Sequence, residues 1–228
     1  MVYVLGGFYN AKQYTPIVLT EESKILYKAD LLKFEIDVLG HTKLKRSYLT
    51  HAMGNKLPEP DPPYEFDCPV KAENFYNFMY TNAGIIISES VVELIEDMEP
   101  GVHQYFPVNF IMKSGPQPKQ QYYLLNVCVS RKTLNFEKSR VFKAHNNEDV
   151  RWYFQGEEYA VTLESQVPKL DPPYDLFVDK SALQGHTLWR EHGFYQRGAI
   201  FATDTFYERA LALGDLGPLE IENYAGEG

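Results

Sequence analysis

Apolar positions along the chain follow two spacings, and the change from one to the other happens in the same way twice. In GIIISESVVELIEDMEPGVHQYFPV, from Gly84, a short β-rich run gives way to helical spacing, then Gly, then a second apolar run. GAIFATDTFYERALALGDLGPLEIENY, from Gly198, follows the same plan. Between run and helix each carries a hydroxyl–acid–hydroxyl triplet, Ser88-Glu89-Ser90 and Thr203-Asp204-Thr205. A hydroxyl residue followed three positions later by Glu can satisfy two orphan amides of a helix start, so Ser90 with Glu93 and Thr205 with Glu208 predict two capping boxes.

On a helical wheel the first predicted helix sets Val91, Leu94, Ile95 and Met98 on one side. Glu89, Glu93, Glu96 and Asp97 stand on the other, which makes it an amphipathic surface helix. The second turns Phe206, Ala210 and Leu213 inward. Leu211 and Ala212 replace Glu96 and Asp97 there, which predicts a more deeply covered helix.

Further strands are predicted in VYVLGGFY at the start, YYLLNVCVS from Tyr122, RWYF from Arg151, YAVTL from Tyr159 and DLFVD from Asp175. A turn-rich connector, KSGPQPKQQ, runs from Lys113 to Gln121. The near-copies DPPYEFD at Asp61 and DPPYDLF at Asp171 read as rigid extended leads, because proline excludes the helical region for the residue before it. Residues 1–60 add strands or a cover; EESKILYKADLLKF, from Glu21, fits helix in part and strand in part.

These patterns predict an α+β fold with a mixed or mainly antiparallel sheet, a few helices and two similar strand–helix–strand halves. The halves divide at 61–121 and 122–228, as one compact unit or two closely packed subdomains.

Charge narrows the function classes. The chain has 228 residues and a formal charge of −9, with 22 basic against 31 acidic side chains. A nucleic-acid binder neutralises phosphates with clustered Lys and Arg, so this balance disfavours one and suits a cationic partner. The excess is localised: from Asp61 to Ser130 there are three Lys/Arg against nine Asp/Glu, and from Asp171 onwards four against ten. The acidity belongs to the two similar segments. Two cysteines far apart, Cys68 and Cys128, form no CxxC pair and point to a reducing cytoplasm. MVYVLGGFYN lacks a basic n-region, and no stretch approaches the roughly 20 apolar residues of a membrane span.

Candidate chemistry is sparse. His186 and His192 in GHTLWREHGF fit neither HExxH nor a familiar His/Cys set and read as ordinary loop histidines. His41, His51, His103 and His145 stand alone, in solvated or hydrogen-bonded roles. There is no GxSxG elbow, and Gly6-Gly7 is followed by neither GK[ST] nor a GxGxxG pattern. Cys128 reads as core within an apolar strand and Cys68 as part of an extended lead. No catalytic, cofactor-binding or metal-ligating residue is singled out, and no cofactor is expected. The abundant tyrosine, 17 residues, beside acidic faces suits protein recognition instead. The acids Glu89, Glu93, Glu96 and Asp97 are the first candidates for steering a basic partner.

Several of these segments resemble a bacterial polymorphic-toxin immunity protein family, the eleventh of its kind and formerly a domain of unknown function. YYLLNVCVSRKTLNFEKS is similar to its strand and "LDxxKS"-like turn, DLFVDKSALQGHTLWREHG to its "lvlD…lFR" segment, and IFATDTFYERALALGDLGPLEI to its closing unit. GIIISESVVELIEDMEPGVHQYFPV resembles its upstream "ivSe…elle…pg…flPv" unit. The likeness is clearest from Tyr122 and spans most of the chain after Asp61. Asn135 stands where the pattern has an acid, and Trp189 where it has Phe.

The resemblance implies a cytoplasmic, non-catalytic binder encoded beside its toxin, as in type VI secretion systems. It would neutralise one cognate effector, and a basic, nuclease-like toxin fits the charge. The alternatives are a small hydrolase or transferase with a site assembled from scattered acids and histidines, and a secretion-system adaptor.

Overall fold

The computed structural model describes residues 2–5, 17–25, 54–57, 59–60, 63–69, 71, 75–81, 83–135, 138–139, 141–146, 149–154, 177–192, 200–214, 216 and 222–224. Side chains are described for all of these except 4, 141–146, 149–154 and 222–224. YAVTL from Tyr159, the Asp171 lead, His41, His51 and most of the Glu21 segment lie outside the described residues; residues 21–25 are helical.

In chain order the strands are β1 (Val2–Leu5), β2 (Val18–Leu19), β3 (Tyr64–Cys68), β4 (Phe78–Thr81), β5 (Gly84–Ser88), β6 (Gln104–Met112), β7 (Tyr122–Asn126), β8 (Ser130–Arg131), β9 (Val141–Asn146), β10 (Asp149–Phe154), β11 (Leu188–Glu191), β12 (Ile200–Thr203) and β13 (Glu222–Tyr224). Helix α1 (Glu89–Met98) follows β5 and α2 (Asp204–Ala212) follows β12. One sheet has the order β2-β3-β6-β7-β5-β4 and a second β13-β1-β12-β11-β8, while β9 and β10 form a separate ribbon. Among the described residues only β3–β6 and β8–β11 pair in parallel. The fold is therefore α+β with mixed, mainly antiparallel sheets.

The two similar segments share a topology. β7 is antiparallel to both β5 and β6, so β5 and β6 run parallel and α1 is the crossover that such a pair requires. β1 is antiparallel to both β12 and β13, and α2 is the equivalent crossover. Each unit is a strand–helix–strand with a foreign strand inserted in the middle. The registers agree as well: Ser88, just before α1, pairs with Tyr122 at the start of β7, and Thr203, just before α2, pairs with Val2 at the start of β1.

Strand alternation places the cores. Ile85 and Ile87 face one way and Ile86 the other. Ile86 joins Phe66, Phe106 and Leu124 in a core on one face of the six-stranded sheet. Ile85 and Ile87 join Val91 and Ile95 of α1, Phe206 and Ala210 of α2, and Ile200 and Ala202 of β12 in the other. Both helices and both large sheets thus contribute to one apolar layer.

Several local expectations are corrected. The helix caps are Ser88 and Thr203, two residues before the predicted boxes. Both are extended, at φ −75°, ψ 162° and φ −74°, ψ 161°, because each strand turns directly into its helix. Thr203 Oγ1 accepts from the Phe206 amide at 3.4 Å, so Glu93 and Glu208 lie more than a turn inside their helices rather than at the reciprocal position. α1 buries Val91, Leu94 and Ile95 as expected.

α2 reverses the prediction of deeper cover. It buries only Phe206 and Ala210, leaving Leu211 at 48% and Leu213 at 40% exposure. The helix stops at Ala212, so its last turn projects past the core instead of under it. The Tyr122–Ser130 run is split between β7 and β8, and the Asp175 segment supplies one bridge, Val178 to Leu134, with a 3₁₀ turn at Lys180–Leu183.

Candidate functional site

α1 presents its acids unequally. Glu89 and Glu93 are exposed and have no ion pair among the described residues. Glu96 is half-buried, and its Oε2 accepts from the Gly101 amide at 2.9 Å, closing the turn after the helix. Asp97 receives Arg209 Nη2 of α2 at 2.6 Å. Two of the four predicted partner-binding acids therefore have partners within the fold, and two face outward with no ion pair among the described residues.

The opposite ends of the helices meet at Asn77. Its Nδ2 donates to the Gly214 carbonyl at 2.7 Å, just beyond α2. Its Oδ1 accepts from Ser88 Oγ at 2.7 Å, and its carbonyl accepts from the Ser88 amide at 3.0 Å. The end of α2 thus lies against the start of α1 through Asn77, while Arg209 in the last turn of α2 reaches Asp97 in the last turn of α1. The exposed Leu211 and Leu213 lie at the same end as Glu89.

At the other end of α1 sits a buried carboxylate that the sequence pattern did not single out. Glu99 accepts from His186 Nδ1 at 2.7 Å, Thr187 Oγ1 at 2.7 Å and the Leu188 amide at 3.0 Å, all on the segment entering β11. It also contacts His103 Nε2 at 3.1 Å. Because His103 Nδ1 accepts from the Cys128 amide at 3.2 Å, the imidazole proton is on Nε2 and is donated to Glu99. Burial alone would raise the Glu99 pKa; the hydrogen bonds from His103, Thr187 and His186 overcome it and hold the carboxyl at about 2. Glu99 is a brace between the two units.

A second buried carboxylate lies at the end of β11. Glu191 accepts from the Thr133 amide at 2.8 Å, Thr133 Oγ1 at 2.6 Å and the Leu134 amide at 3.1 Å. Burial pushes it up to about 7 against those hydrogen bonds. Trp189, fully buried and stacked on Phe201 at 5.6 Å, donates Nε1 to Thr133 Oγ1 at 3.1 Å and so orders the hydroxyl that serves Glu191. Asn135 does the work of the acid expected there, its Oδ1 accepting from the Lys138 amide at 3.1 Å.

Activated nucleophiles are not formed by these groups. Cys128 is half-buried rather than core, its thiol is pushed up to about 11 by burial, and His103 takes a hydrogen bond from its amide and not from its sulfur. His186 and His192 are separated in role: His186 braces Glu99, and the His192 amide donates to the Arg131 carbonyl. Among the described residues no group of three or more His, Cys, Asp and Glu side chains is arranged to hold a metal ion, and no helix is long and apolar enough to cross a membrane.

The Immunity protein family (Imm11) matches residues 39–211, three-quarters of the chain. The chain belongs to this family. The Imm11 match begins before Asp61, so it takes in part of the N-terminal segment, and it includes Glu99, Glu191 and α2 almost to its end. Membership of an immunity family implies a toxin as partner. No curated protein matches the chain.

The residues missed by sequence reasoning were Glu99, Asn77 and Arg209. Each is defined by a partner on another element, and none sits in a local motif. Leu213, expected on the inner side of α2, and Leu211, expected on its outer side under deeper cover, are both exposed.

Proposed function

We propose that this chain is a cytoplasmic immunity protein that binds one cognate bacterial effector toxin and neutralises it by direct contact, without catalysis. The observation that carries this reading is membership of the Imm11 family over residues 39–211. The absence of an activated nucleophile at Cys128 and the structural use of Glu99 and His103 are in keeping with a binder. Of the proposed partner-binding set Glu89, Glu93, Glu96 and Asp97, the first two are the steering charges, since Glu96 and Asp97 already have partners in the fold. With a net charge of −9, a basic toxin would meet this face faster than a neutral one.

The test is co-expression with the toxin encoded by the adjacent gene, scoring host survival and co-purification. Survival together with a stable complex is the expected result. Death of the host and no complex, with the toxin confirmed active, would overturn the reading.

A further inference from the structure

We propose that Gln117 and Gln121, in the connector between β6 and β7, close the free edge of β6 with their side-chain amides and so keep that edge from pairing with the same edge of a second copy of this chain. The inference stands apart from the immunity reading.

β6 outruns one of its partners. Its ladder with β7 ends where Pro107 faces Tyr123, while its ladder with β3 runs on to Met112. The amide of Lys113, the next residue, donates to the Cys68 carbonyl at 3.0 Å, so positions 109, 111 and 113 turn their backbone groups towards β3. Those of Val108 and Phe110 point the other way, because hydrogen-bonding direction alternates along a strand. Among the described residues no strand pairs with β6 on that side beyond Pro107.

Side chains take the carbonyls there. Gln121 Nε2 donates to the Val108 carbonyl at 3.0 Å and to the Tyr122 carbonyl at 2.9 Å, where the next rung between β6 and β7 would stand. Gln117 Nε2 donates to the Phe110 carbonyl at 2.9 Å, two positions further along the same edge. Gln120 Nε2 reaches Tyr122 Oη at 3.1 Å and holds the connector against the start of β7. The connector backbone is poorly made for this task, since Gln117 stands between Pro116 and Pro118, which have no N–H to give. Its carboxamide supplies the donor that its neighbours lack.

An uncovered row of strand carbonyls and amides is a template for another strand. The occupant that fits this one is a second β6: a two-fold axis would set the backbone groups of Val108 and Phe110 against the same groups of the other copy, antiparallel and self-complementary. Ile111, 47% exposed on this stretch, would lose apolar surface to water in such a pair and favour it. Lys113 and Lys119, both exposed, flank the edge and oppose a second copy by charge. The glutamines saturate the edge and the lysines repel what would replace them.

The experiment compares the full-length wild type with Gln117→Ala plus Gln121→Ala, by sedimentation velocity over a wide range of concentration. Binding of a fluorescent peptide with the sequence of residues 107–112 and added terminal lysines is measured alongside, as is the same peptide N-methylated on alternate amides. The double variant should self-associate at least ~10-fold more tightly than the wild type, and bind the unmethylated peptide more tightly by a similar factor. N-methylation should abolish that gain, because it removes the donors that an open edge needs. Where the double variant melts below the assay temperature, Gln117→Ala alone, at an exposed side chain beyond the β6–β7 ladder, carries the same comparison. Sedimentation and peptide binding within about twofold of the wild type overturn the proposal. Association that is indifferent to N-methylation overturns it as well, by tracing the contact to apolar surface and not to the strand edge.

Discussion

Asn77 Nδ2 donates to the Gly214 carbonyl at 2.7 Å, across 137 positions of chain, and this bond ties the last turn of α2 to the first turn of α1. The same amide group receives Ser88 Oγ at 2.7 Å. One asparagine thus joins the segment just past α2 to the residue that opens α1, at the edge of the apolar layer that the two strand–helix units share.

Asn77→Ala should lower stability by about 1–2 kcal/mol, since it leaves the Ser88 hydroxyl and the Gly214 carbonyl without this partner while water can reach part of the site. Urea denaturation is the measurement. A lower midpoint with an unchanged slope is expected. A midpoint equal to that of the wild type would mean that the clamp contributes nothing and that helix position is set by Val91, Phe206 and their neighbours alone.

The two buried carboxylates give stability opposite dependences on pH. Glu99 falls to about 2 in the fold from an ordinary 4.5, so its contribution is complete above about pH 4.5 and is lost as pH drops toward 2. Glu191 rises to about 7 from 4.5, so between those values the folded chain keeps a proton that the unfolded chain has released, and stability declines as pH rises. Glu191→Gln should abolish the decline between pH 4.5 and 7. Glu99→Ala should destabilise by about 3 kcal/mol at pH 7, because His103, His186, Thr187 and the Leu188 amide all lose their acceptor. Denaturation midpoints from pH 3 to 8 check both; a slope between 4.5 and 7 that persists in Glu191→Gln would remove that residue as its source.

What was legible in the sequence was local. The apolar run Ile85 to Ile87, the triplets at Ser88 and Thr203 and the wheel of α1 each need only a few neighbouring residues to be understood, and they led to the α+β fold and its two similar halves. The choice of Ser88 over Ser90 as cap was not local, because it depends on pairing with Tyr122 and on Asn77. The exposure of Leu211 and Leu213 was hidden for the same reason. Their spacing is helical, but where α2 stops relative to the core is decided by Asn77 on β4's approach. Glu99 was the least legible, since three of its donors lie 87 to 89 positions away. A carboxylate beside Pro100 and Gly101 reads as a turn residue until β11 is docked against it.

The ion pair between Asp97 and Arg209 is short but exposed, with side chains 66% and 45% accessible, so screening and lost rotamer freedom should offset most of its attraction. A double-mutant cycle with Asp97→Ala and Arg209→Ala is expected to give a coupling of about 0.5 kcal/mol at low salt, falling at high salt. A coupling above about 2 kcal/mol would show that the pair is shielded from solvent in solution and that it, more than Asn77, sets the helix contact.

Gly54 should tolerate no side chain. Its φ is +85°, and a Cβ there would lie 2.6 Å from the Ser130 amide nitrogen and 2.8 Å from the Val129 carbonyl carbon, both backbone atoms that cannot step aside as a flexible side chain would. The strap it begins is held by the Asn55 carbonyl accepting from Asn126 Nδ2 at 2.9 Å, and by Leu57, whose amide and carbonyl both bond Gln104 at 2.7 and 2.8 Å. Gly54→Ala combines left-handed strain with a displaced strap, at a cost of about 3 kcal/mol. For a chain of this length that corresponds to roughly 6–12 °C in Tm. Calorimetry measures it, and hydrogen exchange at the Leu57 amide should accelerate in step, since its bond to Gln104 depends on where the strap lies. A full-strength strap with a lowered Tm would place the strain at Gly54 alone; an unchanged Tm would mean that β8 yields to the new methyl group.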